Sequence, residues 1–143
     1  MVPSTHEVIK VLGCNPSHDL SLAAATHLSA AIDTLGFREA LFIAYAGTHS
    51  ATGDSTITVT ECDTSGGTYA PITGAAFVNI TASNDVGEPF VGRMSLDGRK
   101  RYLKVSNVVA DDVVEIAILC VLAAPVVAPT TLAQTLAFNL DPA

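Results

Sequence analysis

The chain has 143 residues, of which 49% are hydrophobic and 15% charged, and its fourteen acidic and seven basic side chains give a formal charge of −7. Soluble domains carry about 25% charged residues, so a chain this apolar needs a membrane or other protein subunits to cover the excess. The longest apolar stretch, 116–128, has 13 residues and contains a proline, whereas a membrane-spanning helix needs about 20. The sequence therefore favours subunit contacts and predicts no membrane partner.

The first 27 residues predict an extended arm. They contain two prolines and three of the four histidines, and one short strand is expected at 7–12. Glu7 and Lys10 interrupt the apolar core that a secretion signal needs, so we expect no such signal. The three cysteines are isolated in sequence and are expected to be reduced thiols, which suits assembly inside a cell.

The middle of the chain alternates apolar and polar residues with the period of two that is typical of β-strands. Residues 27–36 and 37–47 predict two strands, the second of them apolar on both faces toward its end. Residues 55–62, STITVTEC, predict a third strand, with Ile57 on the core face and a row of threonines on the solvated face. A turn-rich stretch then leads to a short strand at 75–81.

A β-hairpin is predicted around Asp97-Gly98. The flanking runs, 90–96 and 99–108, alternate, and Asp-Gly between two such runs favours a two-residue turn because both turn positions want φ > 0. This pairing puts Arg93 opposite Tyr102 and predicts a cation–π contact between them.

Residues 113–124 predict a long strand that is apolar on both faces, and residues 125–143 predict a second extended arm. The tail has three prolines and no helical stripe. An arm that becomes ordered on docking loses conformational entropy, so it must bury apolar groups in return. Four bulky residues of the tail suit that purpose: Leu132, Leu136, Phe138 and Leu140.

Short strands separated by Gly, Ser and Asp turns indicate an all-β fold. We predict an antiparallel β-sandwich or a partly closed barrel of about 7–8 strands, in which a jelly-roll arrangement is one option. The predicted organisation is an N-terminal arm at 1–27, a β-sandwich domain at 28–124 and a C-terminal arm at 125–143.

Positive charge gathers at the predicted hairpin, which makes this region a candidate interface. Its members are Arg93, Arg99, Lys100, Arg101, Tyr102 and Lys104. Arg101 has the parity of Leu103 on the core face, so we expect it either to extend to solvent at the sheet edge or to pair with a carboxylate such as Glu61 or Glu115. Nucleic-acid binding needs a basic field with stacking aromatics. A single tyrosine and an excess of acids predict no nucleic-acid partner.

The sequence contains none of the motifs that would indicate catalysis. No C-x-x-C, H-x-x-x-H, G-x-S-x-G or phosphate-binding loop occurs. We therefore expect no enzymatic activity, no cofactor and no metal, with a small hydrolase as the remaining enzyme alternative. Acidic residues in the loops leave a Ca²⁺ site as a further alternative, formed by Asp54, Asp63, Asp85 and Glu88.

The motifs from about residue 33 to residue 124 resemble a family of tailed-bacteriophage virion proteins, described as head decoration (cement) or minor structural proteins. The resemblance rests on GFREALFIAYAGT, TGDSTITVTECDTSGGTYAPITGA, LDGRKRYLKV and an apolar strand ending CVLAAP, and RKRYLKV is the most distinctive part. It implies a non-enzymatic β-sandwich that binds a capsid surface, often as a trimer. It implies no catalytic residues.

Together these observations predict a capsid decoration protein that docks on the major capsid protein, associates with itself as a trimer and stabilises the phage head. The expected location is the virion surface, after assembly in the host cytoplasm. Two alternatives remain at this point: a tail, neck or other minor virion protein of the same fold, and a carbohydrate-binding attachment module. Sugar-binding surfaces usually display exposed aromatic rings, and this chain has no Trp and three Tyr.

Overall fold

The computed structural model describes residues 9–15, 20–83 and 87–125, and these residues form β-strands joined by turns. There are eleven strands, and several of them have only two residues. In chain order they are β1 (Lys10–Gly13), β2 (Ser21–Leu22), β3 (Ala25–Leu28), β4 (Ile32–Asp33), β5 (Phe37–His49), β6 (Asp54–Cys62), β7 (Ala70–Ala76), β8 (Ile80–Thr81), β9 (Phe90–Ser95), β10 (Tyr102–Ala110) and β11 (Val114–Pro125).

The strands form two antiparallel sheets, which confirms the predicted β-sandwich. Sheet A has the order β1-β11-β5-β9, with β2 beside another part of β11. Sheet B has the order β3-β10-β6-β7, with β4 also on β10 and β8 also on β6. Over the described ranges neither sheet closes on itself, so each sheet has an edge strand on both sides. The strand count exceeds the predicted 7–8 because short strands pair along the flanks of the long ones.

The core lies between the two sheets and follows the period-two pattern of the long strands. In sheet A, large residues of β11 face small residues of β5: Ile118 lies opposite Ala44, and Leu122 lies opposite Ala40. All four side chains are at most 2% exposed. This alternation of large and small residues leaves room for the side chains of sheet B, chiefly those of Ile57, Val59, Leu103, Val105 and Val109.

The predicted hairpin around Asp97-Gly98 is wrong, although both of its strands exist. β9 pairs with β5 in sheet A, whereas β10 pairs with β3, β4 and β6 in sheet B. Gly98 adopts a positive φ of 74° but Asp97 does not, and the backbone N–H of Arg99 donates to the carbonyl of Leu96 across the two residues. The turn therefore forms, but it starts a connection that crosses from one sheet to the other. Local turn chemistry is compatible with either outcome, and the core contacts of β9 and β10 decide between them.

The segment assigned to the N-terminal arm contributes strands to both sheets in its described part. β1 pairs with β11 over four residues, and β3 pairs with β10 over another four. The strand expected at 7–12 lies at Lys10–Gly13. The proposed C-terminal arm lies outside the described residues, except for Pro125 at the end of β11.

Two buried thiols lie next to each other where β1 meets β11. Cys14 and Cys120 are each at most 2% exposed, and burial raises the pKa of both thiols to about 12. The neighbouring Cys14 thiol adds to the effect on Cys120. Only the thiolate is nucleophilic, so the folded protein should hold both side chains in the unreactive form.

We expect iodoacetamide at pH 8 to leave Cys14 and Cys120 unmodified in the folded protein and to alkylate both in denaturant. A shift from an unfolded pKa of about 9 to about 12 reduces the thiolate fraction roughly 1000-fold. Peptide mapping by mass spectrometry would measure both sites. Modification of either thiol at the denatured rate would contradict the burial described here.

In the described part of the chain, no helix is long and apolar enough to cross a bilayer. The same residues contain no group of three His, Cys, Asp or Glu side chains arranged to hold a metal ion.

Candidate functional site

Four basic residues of the predicted interface form ion pairs with acidic side chains elsewhere in the sandwich. Arg101 makes the strongest of them, a bidentate ion pair with Asp33 in β4. Its Nε and Nη2 donate to the two carboxylate oxygens at 2.9 and 2.7 Å. The hydrogen bond from Arg101 holds the pKa of the Asp33 carboxyl below its usual value. The expectation that Arg101 pairs with an acid is confirmed, but the partner is neither Glu61 nor Glu115.

The next two basic residues pair with acids at the end of β6. Nη1 of Arg99 lies 3.6 Å from Oε1 of Glu61, and Nζ of Lys100 lies 3.2 Å from Oδ2 of Asp63. The backbone N–H of Lys100 also donates to Oε2 of Glu61. The contact with Asp63 raises the pKa of the Lys100 ammonium group.

The predicted contact between Arg93 and Tyr102 is wrong, because the two residues belong to different sheets. Arg93 instead donates to Glu39 of β5 at 2.7 Å. Tyr102 has the guanidinium of Arg101 over its ring at 5.0 Å, and the ammonium of Lys104 lies 4.5 Å from the ring centre of Tyr69. These contacts use the basic residues to join strands within the molecule.

We expect Asp33→Asn to lower the free energy of unfolding at pH 7 by about 1 kcal/mol, the usual scale for a partly exposed pair with good geometry. Because the pKa of Asp33 is lowered in the folded state, its contribution is present above the unfolded pKa. It is lost as the pH falls through the folded value. Urea unfolding at pH 7 and at pH 2.5 would measure this, and a difference that persisted undiminished at pH 2.5 would contradict the ion pair.

Sheet A has an apolar outer face, and sheet B does not. On sheet A, Leu119 lies opposite Ile43, which in turn lies opposite Val91. Leu119 and Val91 are 40% and 57% exposed. We define the outer face of sheet A by its large apolar members: Val11, Leu41, Ile43, Tyr45, Val91, Leu119 and Val121. The ion pair between Arg93 and Glu39 lies on the same face, beside Leu41. The solvated face of sheet B carries polar residues along its central strands, among them Thr56, Thr58, Lys104 and Ser106.

A second apolar surface is a groove at the open side of the sandwich, between the edge strands β7 and β9. Its cavity measures about 680 Å³. Core residues reach into it from below, including Phe42, Val59 and Ile72, and Phe90 and Met94 line its β9 side. Arg93 and Arg99, two members of the predicted interface, lie at its rim. We call this feature the β7–β9 groove.

The β7–β9 groove is lined by small residues of its two edge strands and by the ring of Phe77. β9 places Gly92 opposite the buried Phe42, on the inner face of the sheet. A side chain at this position would meet the ring of Phe77 at 3.3 Å. β7 contributes Gly74, whose φ is +82°, and two alanines beside it. The sequence analysis missed this groove, because isolated small residues in edge strands give no periodic signal.

The apolar members of the predicted interface, Leu132, Leu136, Phe138 and Leu140, lie outside the described residues. Of the predicted Ca²⁺ ligands, Asp54 accepts a hydrogen bond from Asn79, and Asp63 pairs with Lys100. The structure therefore directs these two carboxylates toward other protein groups.

No protein-family model and no curated protein matches the chain. Among solved structures, the crystal structure of PBSX exported protein XepA is similar, with a TM-score of 0.56 over 99% of this chain and 18% sequence identity. At that identity the likeness concerns the fold. The match covers 46% of the XepA chain, so this chain spans about half the length of the protein it resembles.

Proposed function

We propose that this protein is a structural component of a phage particle, and that its specific role is to decorate and stabilise the capsid as a non-enzymatic oligomer. The observation that carries the proposal is the outer face of sheet A, a contiguous apolar surface on a water-exposed sheet. Monomeric proteins rarely expose such patches without a binding role. The major capsid protein is the partner we propose for this face.

Two further observations support a phage role. The sequence resembles phage decoration and minor virion proteins over the sandwich, and the fold is similar to that of PBSX exported protein XepA. Four of the basic residues, Arg93, Arg99, Lys100 and Arg101, form ion pairs within the molecule, so the apolar face is the stronger candidate for the contact with the particle.

The test is stoichiometric binding to undecorated phage shells. We expect Leu119→Lys and Val91→Lys to weaken binding at least tenfold, because each puts a charge into the centre of an apolar contact. Val108→Lys is the matched control, since Val108 is a 42% exposed strand valine on the opposite sheet. Cosedimentation with shells would give the affinities, and equal binding by all three variants would refute the assignment of the face.

The location of bound protein distinguishes decoration from the closest alternative. Electron microscopy should find it at repeated positions of the capsid lattice. Binding at a single vertex or on tails would instead assign the protein to the neck or tail, and no binding to any phage structure would refute the proposal as a whole.

A further inference from the structure

We propose that the β7–β9 groove receives residues 131–140 from a second copy of this chain, which add a strand to the sheet at the free edge of β9. The inference deepens the proposed function by naming the segment through which the subunits associate. The association itself does not depend on the proposed function, and only the role of the oligomer on the capsid rests on it. Each subunit of the oligomer would then donate one strand to the next subunit.

The groove offers what an extended segment needs. β9 and β7 each end their sheet, and neither has a strand on its outer side among the described residues. Such an edge presents unpaired backbone N–H and C=O groups that template an added strand. Between the two edges, the groove exposes Phe42, Val59 and Ile72, which normally belong to a closed core. An incoming strand would therefore gain backbone hydrogen bonds and apolar burial together.

The tail sequence matches this requirement with a period of two. Bulky apolar residues occupy even positions, with Gln134 as the one polar member: Leu132, Leu136, Phe138 and Leu140. The odd positions from 131 to 139 hold Thr, Ala, Thr, Ala and Asn. A strand with this pattern has one large apolar side and one small or polar side, as a half-buried strand does. The large side would pack into the groove beside Gly74, where the structure leaves open space.

The lengths agree as well. β9 has six residues and β7 has seven, so a donated strand of similar length fills the groove. Seven residues from the alternating segment, 134–140, present three bulky side chains toward the core. The whole segment from Leu132 onward presents four.

The point at which β11 ends favours a second copy over the chain's own tail. Pro125 lies opposite Phe37, near the level where Glu39 pairs with Ser95 of β9. A strand beyond β9 is three strand spacings from β11, or about 14 Å, and from this level it must run back in the opposite direction. Residues 126–130 span at most about 17 Å, and a reversal uses about two of them. The remaining three reach roughly 10 Å, which is less than the required distance of about 14 Å. The chain's own tail would therefore use residues 131 and 132 in the connection and could not place Leu132 in its own groove, whereas the tail of a second copy could place all four bulky residues.

A tail that enters a neighbour's groove makes a head-to-tail contact, because the donor and the acceptor use different surfaces. Such contacts close into rings when the rotation between copies permits it. A ring of three would give the trimer that the sequence analysis predicts, with one donated strand per subunit.

The first test uses the parity of the tail in the full-length protein, with oligomeric state measured by light scattering on a sizing column. We expect the double variant Leu136→Asp/Phe138→Asp to weaken self-association at least 100-fold. The control Thr135→Asp/Ala137→Asp adds the same charge on the other side of the strand and should remain oligomeric. On the acceptor side, Ala75→Trp fills the groove and should abolish association, whereas Ala70→Trp, on an exposed part of the same strand, should not.

The second test identifies the donor. Ala75→Cys is combined in turn with Leu136→Cys or Phe138→Cys, and with Thr135→Cys as the odd-position control, and each protein is oxidised and run on a non-reducing gel. Cross-linked dimers and trimers from the even positions only are the expected result. Intramolecular cross-links would show that the tail fills its own groove and would overturn the inference, as would a monomeric wild-type protein or equal behaviour of both parities.

These outcomes are read without phage particles, so they are separate from the test of the proposed function. An oligomer with donated strands that ignores shells counts against capsid decoration alone. Shell binding by a protein whose parity variants behave alike counts against strand donation alone. Thermal unfolding of each variant verifies that the sandwich is intact, since the substituted positions lie in the tail or line an open groove.

Discussion

Replacing Leu122 with alanine is expected to lower the free energy of unfolding by about 3 kcal/mol, within the 2–5 kcal/mol range of buried leucine truncations. Leu122 is fully buried at the centre of the sandwich and lies opposite Ala40, which is also fully buried. Since its neighbour across the strand pair is already a small residue, truncation leaves a space that no adjacent side chain can fill. For a domain of this size the melting temperature should fall by roughly 10 °C.

The adjacent residue provides the control. Val121→Ala removes apolar volume from the same strand, but Val121 belongs to the outer face of sheet A and is only half-buried. We expect a loss below about 1 kcal/mol in the isolated protein. Chemical denaturation of both variants would give the comparison. Similar losses for Leu122→Ala and Val121→Ala would contradict the parity on which both the core and the outer face depend.

This parity was readable from the sequence, and so was the fold class that follows from it. Ile57, Leu103 and Val105 are buried as the alternation predicts, because the period of two in a strand is a local geometric property. The long strand predicted at 113–124 is found at Val114–Pro125. Its second apolar face, which suggested subunit contacts, is the outer face of sheet A.

Strand partners were not readable in the same way. The strands around Asp97-Gly98 look like a hairpin locally, yet they belong to opposite sheets. β9 pairs with β5, and in this position Phe90 and Met94 pack against the core. The partner of Arg101 was missed for a related reason. Asp33 is 68 residues away in sequence, and only the pairing of β4 with β10 brings the two together.

The same distinction applies to the candidate site, where composition could be read from the sequence and strand arrangement could not. Sequence reasoning found the apolar tail residues and the basic cluster, which are visible as composition. It did not find the β7–β9 groove, because a groove depends on which strands end the two sheets and on the small residues that face each other there. It offered the basic residues as a candidate interface, and the structure shows that four of them form ion pairs within the molecule.

Asn107→Asp is expected to destabilise the protein by about 3 kcal/mol at pH 7, the scale of an unpaired charge in a core. Asn107 is 2% exposed and lies in β10 between Val105 and Val109, with its side chain on the core face. Its Oδ1 accepts a hydrogen bond from the Ser55 hydroxyl, and its Nδ2 has no hydrogen-bond partner among the described residues. The substitution keeps shape and volume, so its effect is electrostatic.

The pH dependence separates this explanation from a packing defect. Burial raises the pKa of a carboxyl, so the folded variant binds a proton more tightly than the unfolded chain. The penalty should therefore be small below about pH 3.5, where both states are protonated, and should grow as the pH rises through the unfolded value of about 3.9 until it levels off above the folded one. Urea unfolding of the variant and the wild type at matched pH values would measure it. A penalty that did not change between pH 3.5 and pH 7 would show that the loss comes from packing and not from a buried charge.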